Sequence, residues 1–250
     1  MMTFSANLGF LWRDLPLPDA ILAASEAGFD AVECHFPFAH DAGAVRAALS
    51  EGGFRMISLN ARPGSRDGDF GLTAVAGREA EARNAIDEAI AYAAAIGCDH
   101  VHVLAGANGD RATYLDNLTY AADAAAQADQ TVLIEPLSSG EVPGYHLTRV
   151  ADAVSVITQL GTPNLGVLFD VFHVRAMGDD PLTAYQRSAE HVRHVQIAAH
   201  PDRGEPTGGD VDYARLLPGL VDAGYRGAFG AEYRPRDTIE AGLGWLDEWR

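Results

Sequence analysis

Four oxygen-bearing side chains stand at or near the ends of short apolar runs in this sequence. Val132, Leu133 and Ile134 close on Glu135, which is followed by a proline; GVLFD closes on Asp170; HVQIA carries Gln196; GAFGAEYR carries Glu232. Each run is brief and bounded by turn residues, and most are rich in β-branched residues, the pattern of a buried strand. If the four strands are parallel neighbours, three carboxylates and one carboxamide converge at their tips. A single acid at a strand end more often anchors a loop or faces solvent. Four such groups together repel one another and lose hydration unless a divalent cation sits among them. The all-oxygen set of Glu135, Asp170, Gln196 and Glu232 suits Mg2+ or Mn2+, whereas zinc would favour histidine or cysteine.

The elements that must position these groups follow in order. FSANLGF is a first strand, Pro18 to Ala27 a helix with Gly28 placed to end it, and FDAVECHF a second strand. A helix from Ala42 to Glu51 stops at two glycines, and FRMISLN is the third strand, with Asn60 at its tip. The glycine-rich stretch ARPGSRDGDFGLTAVAG lacks periodicity and reads as a long loop, a candidate lid. Helices over 78–96 and 111–128 flank the fourth strand, HVHVLAG, and the fifth strand ends in Glu135. A helix ending at Gly161, the strand NLGVLFD, a helix from Pro181 to about Glu190, the strand VRHVQIA and a helix from Tyr213 to Ala223 come next. Pro218 predicts a kink or a break in the last of these. GAFGAEY is the eighth strand, with Ala228, Gly230 and Glu232 on one face, so room is expected beneath the carboxylate. Thr238 to Trp249 is a final helix with Ile239, Leu243, Leu246 and Trp249 inward.

Eight strand–helix alternations without a break in composition predict one α/β domain over residues 1–250, a closed parallel (β/α)8 barrel. Sites in such barrels lie at the C-terminal ends of the strands, where all four groups fall. The length suits a single large core. A net charge of −17 opposes contact with nucleic acid or an anionic membrane surface and otherwise serves solubility. No run approaches the roughly 18 apolar residues of a membrane span, and the start MMTFSANLGFLWRD has no basic-then-apolar leader pattern, so the expected location is the cytoplasm. Cys34 and Cys98 are too far apart for a metal knuckle and fit as small packing residues. Neither a phosphate-cradling glycine motif nor a Gly-x-Ser-x-Gly elbow occurs, and no organic cofactor is implied.

Taken together, LIEPL with VPGY, FDVFH, HVQIA with PDRGEP, and GAEYRP, supported by FSANL, AGFDAVE and HVLAG, resemble the hydroxypyruvate isomerase family of the xylose-isomerase-like TIM barrel superfamily over nearly the whole chain. The resemblance implies that Glu135, Asp170, Gln196 and Glu232 bind a divalent metal and that Glu135 and Glu232 move the proton. It also implies substrate contacts from Glu141, His173 and Arg203. The bland alternatives are a solvated loop acid, a helix-start packing residue and a surface charge. His102 faces the barrel and either binds substrate or is a hydrogen-bonded core histidine; Glu33 and His35 are weaker candidates at the second strand's tip.

The implied reaction is a metal-dependent aldose–ketose isomerisation of a short hydroxy-oxo acid, foremost hydroxypyruvate to tartronate semialdehyde, through a cis-enediolate whose charge the metal stabilises. The alternatives are a 2-oxo-tetronate isomerase, a ketose 3-epimerase acting on a short sugar, an AP-endonuclease-like repair enzyme, and a silent sugar-binding barrel. Gln196 favours isomerase over epimerase, since the epimerases usually carry histidine there. A homo-oligomer is compatible with the pattern. Gly140 and Gly204 replace polar residues of the family pattern where substrate would be read, and the glycines around PDRGEPTGG predict a loop that closes Arg203 over a substrate carboxylate, with Arg62 or Arg66 as the fallback.

Overall fold

The structure, a computed structural model, describes residues 2–249. Eight strands, β1 (Phe4–Asn7), β2 (Ala31–Cys34), β3 (Met56–Asn60), β4 (His100–His102), β5 (Thr131–Ile134), β6 (Leu165–Asp170), β7 (Val192–Ile197) and β8 (Phe229–Ala231), close into a parallel barrel in sequence order. Parallel neighbours need crossovers, and helices supply them: α1 (Leu17–Glu26), α2 (Ala42–Gly52), α3 (Glu79–Ile96), α4 (Arg111–Ala126) and α5 (Val150–Leu160) in the first half. The second half uses α6 (Val171–Ala176), α7 (Pro181–Ser188), α8 (Tyr213–Asp222), α9 (Ile239–Gly242) and α10 (Gly244–Asp247). Ile86, Ala89, Ile90 and Ala93 of α3 recur at helical spacing and are buried against the sheet. Gly97 and Gly161 end α3 and α5 with φ of 73° and 66°, a conformation that costs a residue with a Cβ more.

Three differences from the sequence reading have physical causes. Pro218 lies inside one continuous α8, because Tyr213, Leu216, Leu217 and Leu220 bury a single apolar face that holds the helix together across the missing N–H. The final helix is two short ones, α9 and α10, separated by Leu243 and flanked by Gly242 and Gly244. Trp245 and Leu246 take the buried positions there, and the Trp245 ring meets Phe4 edge-on at 5.2 Å. The extra helix α6 starts directly from Asp170, whose carboxylate accepts from the Phe172 N–H at 2.8 Å as an N-cap.

Register decides which side chains share a level in the barrel. Asn7 stands beside Glu33, Asn60 beside His102, and Asp170, Gln196 and Gly230 occupy one row across β6, β7 and β8. Buried tyrosines tie off backbone groups that the strands leave unpaired: the Tyr213 hydroxyl joins both the N–H and the C=O of Ala198, and Tyr225 does the same between Val195 and Ala228.

The long loop over residues 61–77 is bonded down rather than free. Gly71 bridges Ala105, the Thr73 hydroxyl donates to the Leu104 carbonyl at 2.9 Å, and Arg78 grips Asp69 through two nitrogens at 2.6 and 2.7 Å. Its segment Leu72–Ala74 is buried, and Phe70 projects at the barrel mouth.

Candidate active site

A cavity of about 310 Å3 opens at the C-terminal ends of the strands, with Glu135, Glu232, His102, His173 and Arg203 in its wall. Phe10, Phe36 and Phe70 form an aromatic rim, and Glu141 and Arg234 face one another across 3.4 Å. Larger and comparable clefts lie on the helical flank, for example between α5 and α7, away from the strand ends.

Glu135 follows β5 directly, and Pro136 after it keeps the chain extended, so the carboxylate is delivered upward from the barrel wall. Its Oε1 is buried and has no hydrogen-bond partner. Burial, then the nearby Glu232 and Asp170, raise its pKa well above the ordinary range. Asp170 is likewise raised, to about 7, by burial; Arg203 opposes the rise and Glu232 adds to it. One oxygen from each of Glu135 and Asp170 and one ring nitrogen of His173 lie within 4.8 Å of one another.

Glu232 behaves differently although it is as deeply buried. Its Oε1 accepts from Asn7 Nδ2 at 2.9 Å and lies 3.1 Å from His35 Nε2, and its Oε2 accepts from Arg203 Nη2 at 2.6 Å. Burial works against its ionisation, yet Arg203 and then His35 outweigh burial and hold it at about 2. Gln196 presents Nε2 to Glu33 at 3.1 Å, and its Oε1 is buried with no partner.

The partnerless oxygens of Glu135 and Gln196, beside Asp170, are the kind of hard donors a small divalent cation takes, and this chain's residues fit one on that ground. His173 stands with these two acids, Gln196 neighbours Asp170 in the register, and Glu232 shares Arg203 Nη2 with Asp170. His173 Nδ1 accepts from the Ser138 backbone N–H at 3.1 Å, so the neutral ring carries its proton on Nε2, 3.6 Å from Asp170 Oδ2. Burial, with Arg203 assisting, pushes that ring down to about 3, which keeps it neutral. In this tautomer His173 offers a proton rather than a lone pair toward Asp170.

Arg203 departs most from expectation. It does not ride on an open flap: the Arg203 N–H donates to Ala199 at 2.9 Å, the Arg234 N–H donates to the Arg203 carbonyl at 2.7 Å, and residues 203–206 are buried. A φ of 55° turns its side chain inward, between the rings of Phe10 and Phe172 at 5.0 and 4.8 Å. There Nη2 bridges Glu232 and Asp170, the latter at 3.1 Å, while Glu141 lies 3.9 Å away. Gly204 is a matter of space, since a Cβ there would stand 2.6 Å from the Arg236 guanidinium carbon, which pairs with Asp202 and Glu205. Arg62 is stacked on Phe38 and paired with Glu88, and neither it nor Arg66 lines the cavity, so the fallback has no support.

His102 is a buried, hydrogen-bonded histidine at the cavity wall. Nδ1 donates to Asn60 Oδ1 at 3.2 Å, and Nε2, partnerless and 3.8 Å from Glu135 Oε2, is left as an acceptor at the cavity wall. The room expected beneath Glu232 is filled by Glu33, whose Oε1 would lie 2.5 Å from a Cβ at position 230. Sequence reasoning misses Asn7, Phe10 and Arg234 as parts of the site; Asn7 and Arg234 lie within FSANL and GAEYRP, the stretches that carry the resemblance.

Comparison with known proteins points one way. Residues 21–249 match the family described as xylose isomerase-like TIM barrel. A 2-oxo-tetronate isomerase of Cupriavidus necator is 42% identical, the match covering 98% of each chain. A hydroxypyruvate isomerase of Escherichia coli is 33% identical over 100% of each. A solved structure described as an AP endonuclease, family 2, from Brucella melitensis superposes with a TM-score of 0.96 at 36% identity, covering 100% of both chains.

Proposed function

The chain belongs to the xylose isomerase-like TIM barrel family, among the hydroxypyruvate and 2-oxo-tetronate isomerases, and from that premise we propose that it isomerises a short hydroxy-oxo acid, with hydroxypyruvate to tartronate semialdehyde as the leading reaction. The observation that carries the reading is the meeting of Glu135 and Glu232 in one cavity whose mouth also holds Arg234 and whose wall holds Arg203. Acids move the proton, and arginines meet the carboxylate.

Glu135, Asp170, Gln196 and Glu232 would hold Mg2+ or Mn2+, and such a cation, when bound, supplies positive charge to the carbonyl and hydroxyl oxygens of the substrate. One of Glu135 and Glu232 takes the proton from the hydroxyl-bearing carbon, leaving a cis-enediolate. The other returns a proton to the neighbouring carbon or holds the hydroxyl proton. Asn7 and His35 fix Glu232 from one side, so its free orbital direction is constrained. His102 Nε2 accepts a substrate hydroxyl, and His173 lines the same cavity with its Nε2 between Arg203 Nη1 and Asp170. Arg234, 60% exposed and held loosely by Glu141, is the cation freest to meet an incoming carboxylate at the rim, because Arg203 is already engaged by two acids.

A four-carbon 2-oxo-tetronate is the second reading, favoured by the 42% identity to a 2-oxo-tetronate isomerase. A nuclease activity, suggested by the description of the Brucella melitensis protein, would have to bring a phosphate backbone to a chain of net charge −17. We place the enzyme in the cytoplasm; no helix among the described residues is long and apolar enough to cross a membrane. The deciding experiment measures turnover of hydroxypyruvate, 2-oxo-tetronates, free ketoses and abasic duplex, each with EDTA and with Mg2+ or Mn2+ restored. Turnover of a hydroxy-oxo acid that EDTA abolishes and metal restores is expected. Full activity in metal-free protein, or activity on abasic DNA alone, refutes the reading.

A further inference from the structure

Beneath the cavity floor lies a polar cluster whose central members, Glu33, Ser58 and His194, have no part in the proposed chemistry. Glu33 is completely buried in the middle of the barrel, 26 residues from Asn7 and 163 from Gln196 in sequence. Asn7 Nδ2 reaches its Oε1 at 3.0 Å and Gln196 Nε2 reaches the same oxygen at 3.1 Å. The Ser58 hydroxyl stands 3.5 Å from Oε2, and His194 Nε2 contacts that oxygen closely. A carboxylate can only accept, and Asn7, Gln196 and Ser58 each bring it a donor.

That fact settles the orientation of two amides. A carboxamide has one face that donates and one that accepts, and its partners decide which way each points. Asn7 Oδ1 accepts from the Gly9 N–H at 2.9 Å, which turns Nδ2 toward both Glu33 and Glu232. Gln196 has its Nε2 claimed from below by Glu33, so its Oε1 faces the other way, buried and without a partner. Reversing that amide would put an NH2 where the partnerless oxygen now stands, in the row that also holds Asp170, and an oxygen against the oxygen of Glu33.

We propose that Glu33 is the positioning residue of the metal site: it holds the Gln196 carboxamide with its oxygen toward the cation and, through Asn7, holds Glu232 Oε1 in place. This deepens the metal-dependent reading and rests on it. Gly230 belongs to the same device, since any Cβ there would meet Glu33 Oε1 at 2.5 Å and displace the carboxylate. A residue that positions a ligand is worth about 10–100-fold in metal affinity.

The test is Mn2+ binding, followed by calorimetry and by the paramagnetic resonance of free Mn2+, so that no turnover enters. Glu33→Gln should weaken Mn2+ binding about 10–100-fold, because a carboxamide at 33 can donate and lets Gln196 turn over. The swap Glu33→Gln with Gln196→Glu reverses that hydrogen bond, with the donor now below, and keeps an oxygen above at unchanged net charge; Gln196→Glu alone is measured beside it, so that the gain from the added carboxylate is subtracted. After that subtraction the swap should still bind Mn2+ more tightly than Glu33→Gln alone, a non-additive recovery that a purely structural role would not give. If Glu33→Gln does not fold, Gly230→Ala keeps Glu33 while crowding it, and it too should weaken Mn2+ binding. Wild-type affinity in Glu33→Gln or Gly230→Ala, or a swap no tighter than Glu33→Gln after that subtraction, overturns the proposal. A wild-type protein that binds no Mn2+ overturns the metal reading and this proposal with it.

Discussion

Replacing Arg203 by methionine separates the arginine's place in the resting site from any contact with substrate. Methionine keeps an unbranched chain between the Phe10 and Phe172 rings, at 5.0 and 4.8 Å from the guanidinium in the parent, but removes the charge that Glu232 and Asp170 share at 2.6 and 3.1 Å. Breaking a buried ion pair from one side costs about 3–5 kcal/mol, because the other charge stays buried without a partner. A second route gives a similar figure. Burial would raise Glu232, and Arg203 followed by His35 instead bring it from 4.5 to about 2. That net drop of about 2.5 units, to which Arg203 contributes most and His35 next, is roughly 3.5 kcal/mol at about 1.4 kcal/mol each. A depressed carboxylate contributes its stability above its unfolded value of 4.5 and loses it as pH falls through about 2, so the contribution is complete at pH 7.5. At about 2–4 °C per kcal/mol for a chain of this size, metal-free Arg203→Met should melt about 6–20 °C below the parent at pH 7.5. Thermal unfolding in EDTA measures this. Saturating Mn2+ should shrink the gap, since a cation among the acids replaces the missing charge. An equal deficit in EDTA and in Mn2+, or a deficit below about 1 kcal/mol in both, would sink the reasoning.

In the metal-free protein Asp170 and Glu135 add stability on acidification from pH 7.5 to about 5, while His100, His102 and His173, held down by burial to about 4, 4 and 3, remove it. Asp170→Asn should therefore lose melting temperature relative to the parent as pH falls over this range. Asp170, raised by burial to about 7 against the pull of Arg203, and Glu135, raised further by burial and its acidic neighbours, bind protons in the folded state that the unfolded chain does not bind there. A variant-minus-parent difference that does not fall over this range in EDTA would contradict it, and Mn2+ should stabilise the parent less as pH falls because protons compete for the same oxygens. Glu135→Gln and Glu232→Gln should each lower kcat by about a hundredfold or more, having lost a proton carrier as well as a charged ligand; near-parental kcat in either would reject its role. Arg234→Ala should raise KM for the hydroxy-oxo acid by about tenfold with kcat little changed, and an unaltered KM would move carboxylate recognition elsewhere.

Most of the barrel is legible because each strand is a short apolar run bounded by turn residues and each long helix repeats at 3.6 residues, signals that need no tertiary context. Glu135, Asp170, Gln196 and Glu232 are legible for the same reason, being the polar ends of those runs. What is lost is what closure alone creates. Asn7 touches Glu232 across 225 residues, and nothing in FSAN says which strand lies beside β1 on its far side. Glu33 sits inside AVEC with no periodic signal, and the small residues of β8 suggest empty space where its carboxylate lies. The glycines near Arg203 mark a loop and so suggest a closing flap, but its inward turn depends on a φ of 55° that sequence does not announce. The C-terminal helix reads too long because the period of Ile239, Leu243 and Leu246 outweighs Gly242 and Gly244.

The acids come from β5 to β8, while Phe10, Phe36, Asn60 and Phe70, which shape the mouth, follow or end β1 to β3. The two halves of the barrel are therefore exposed to selection separately. Substitutions at Phe36 and Phe70, which line the mouth, can reshape what enters while every carboxylate stays in place. The separation is crossed at three places, since Asn7 and His35 bond Glu232 and Glu33 bonds Gln196, and saturation mutagenesis of β1 should find Asn7 as intolerant as the acids themselves.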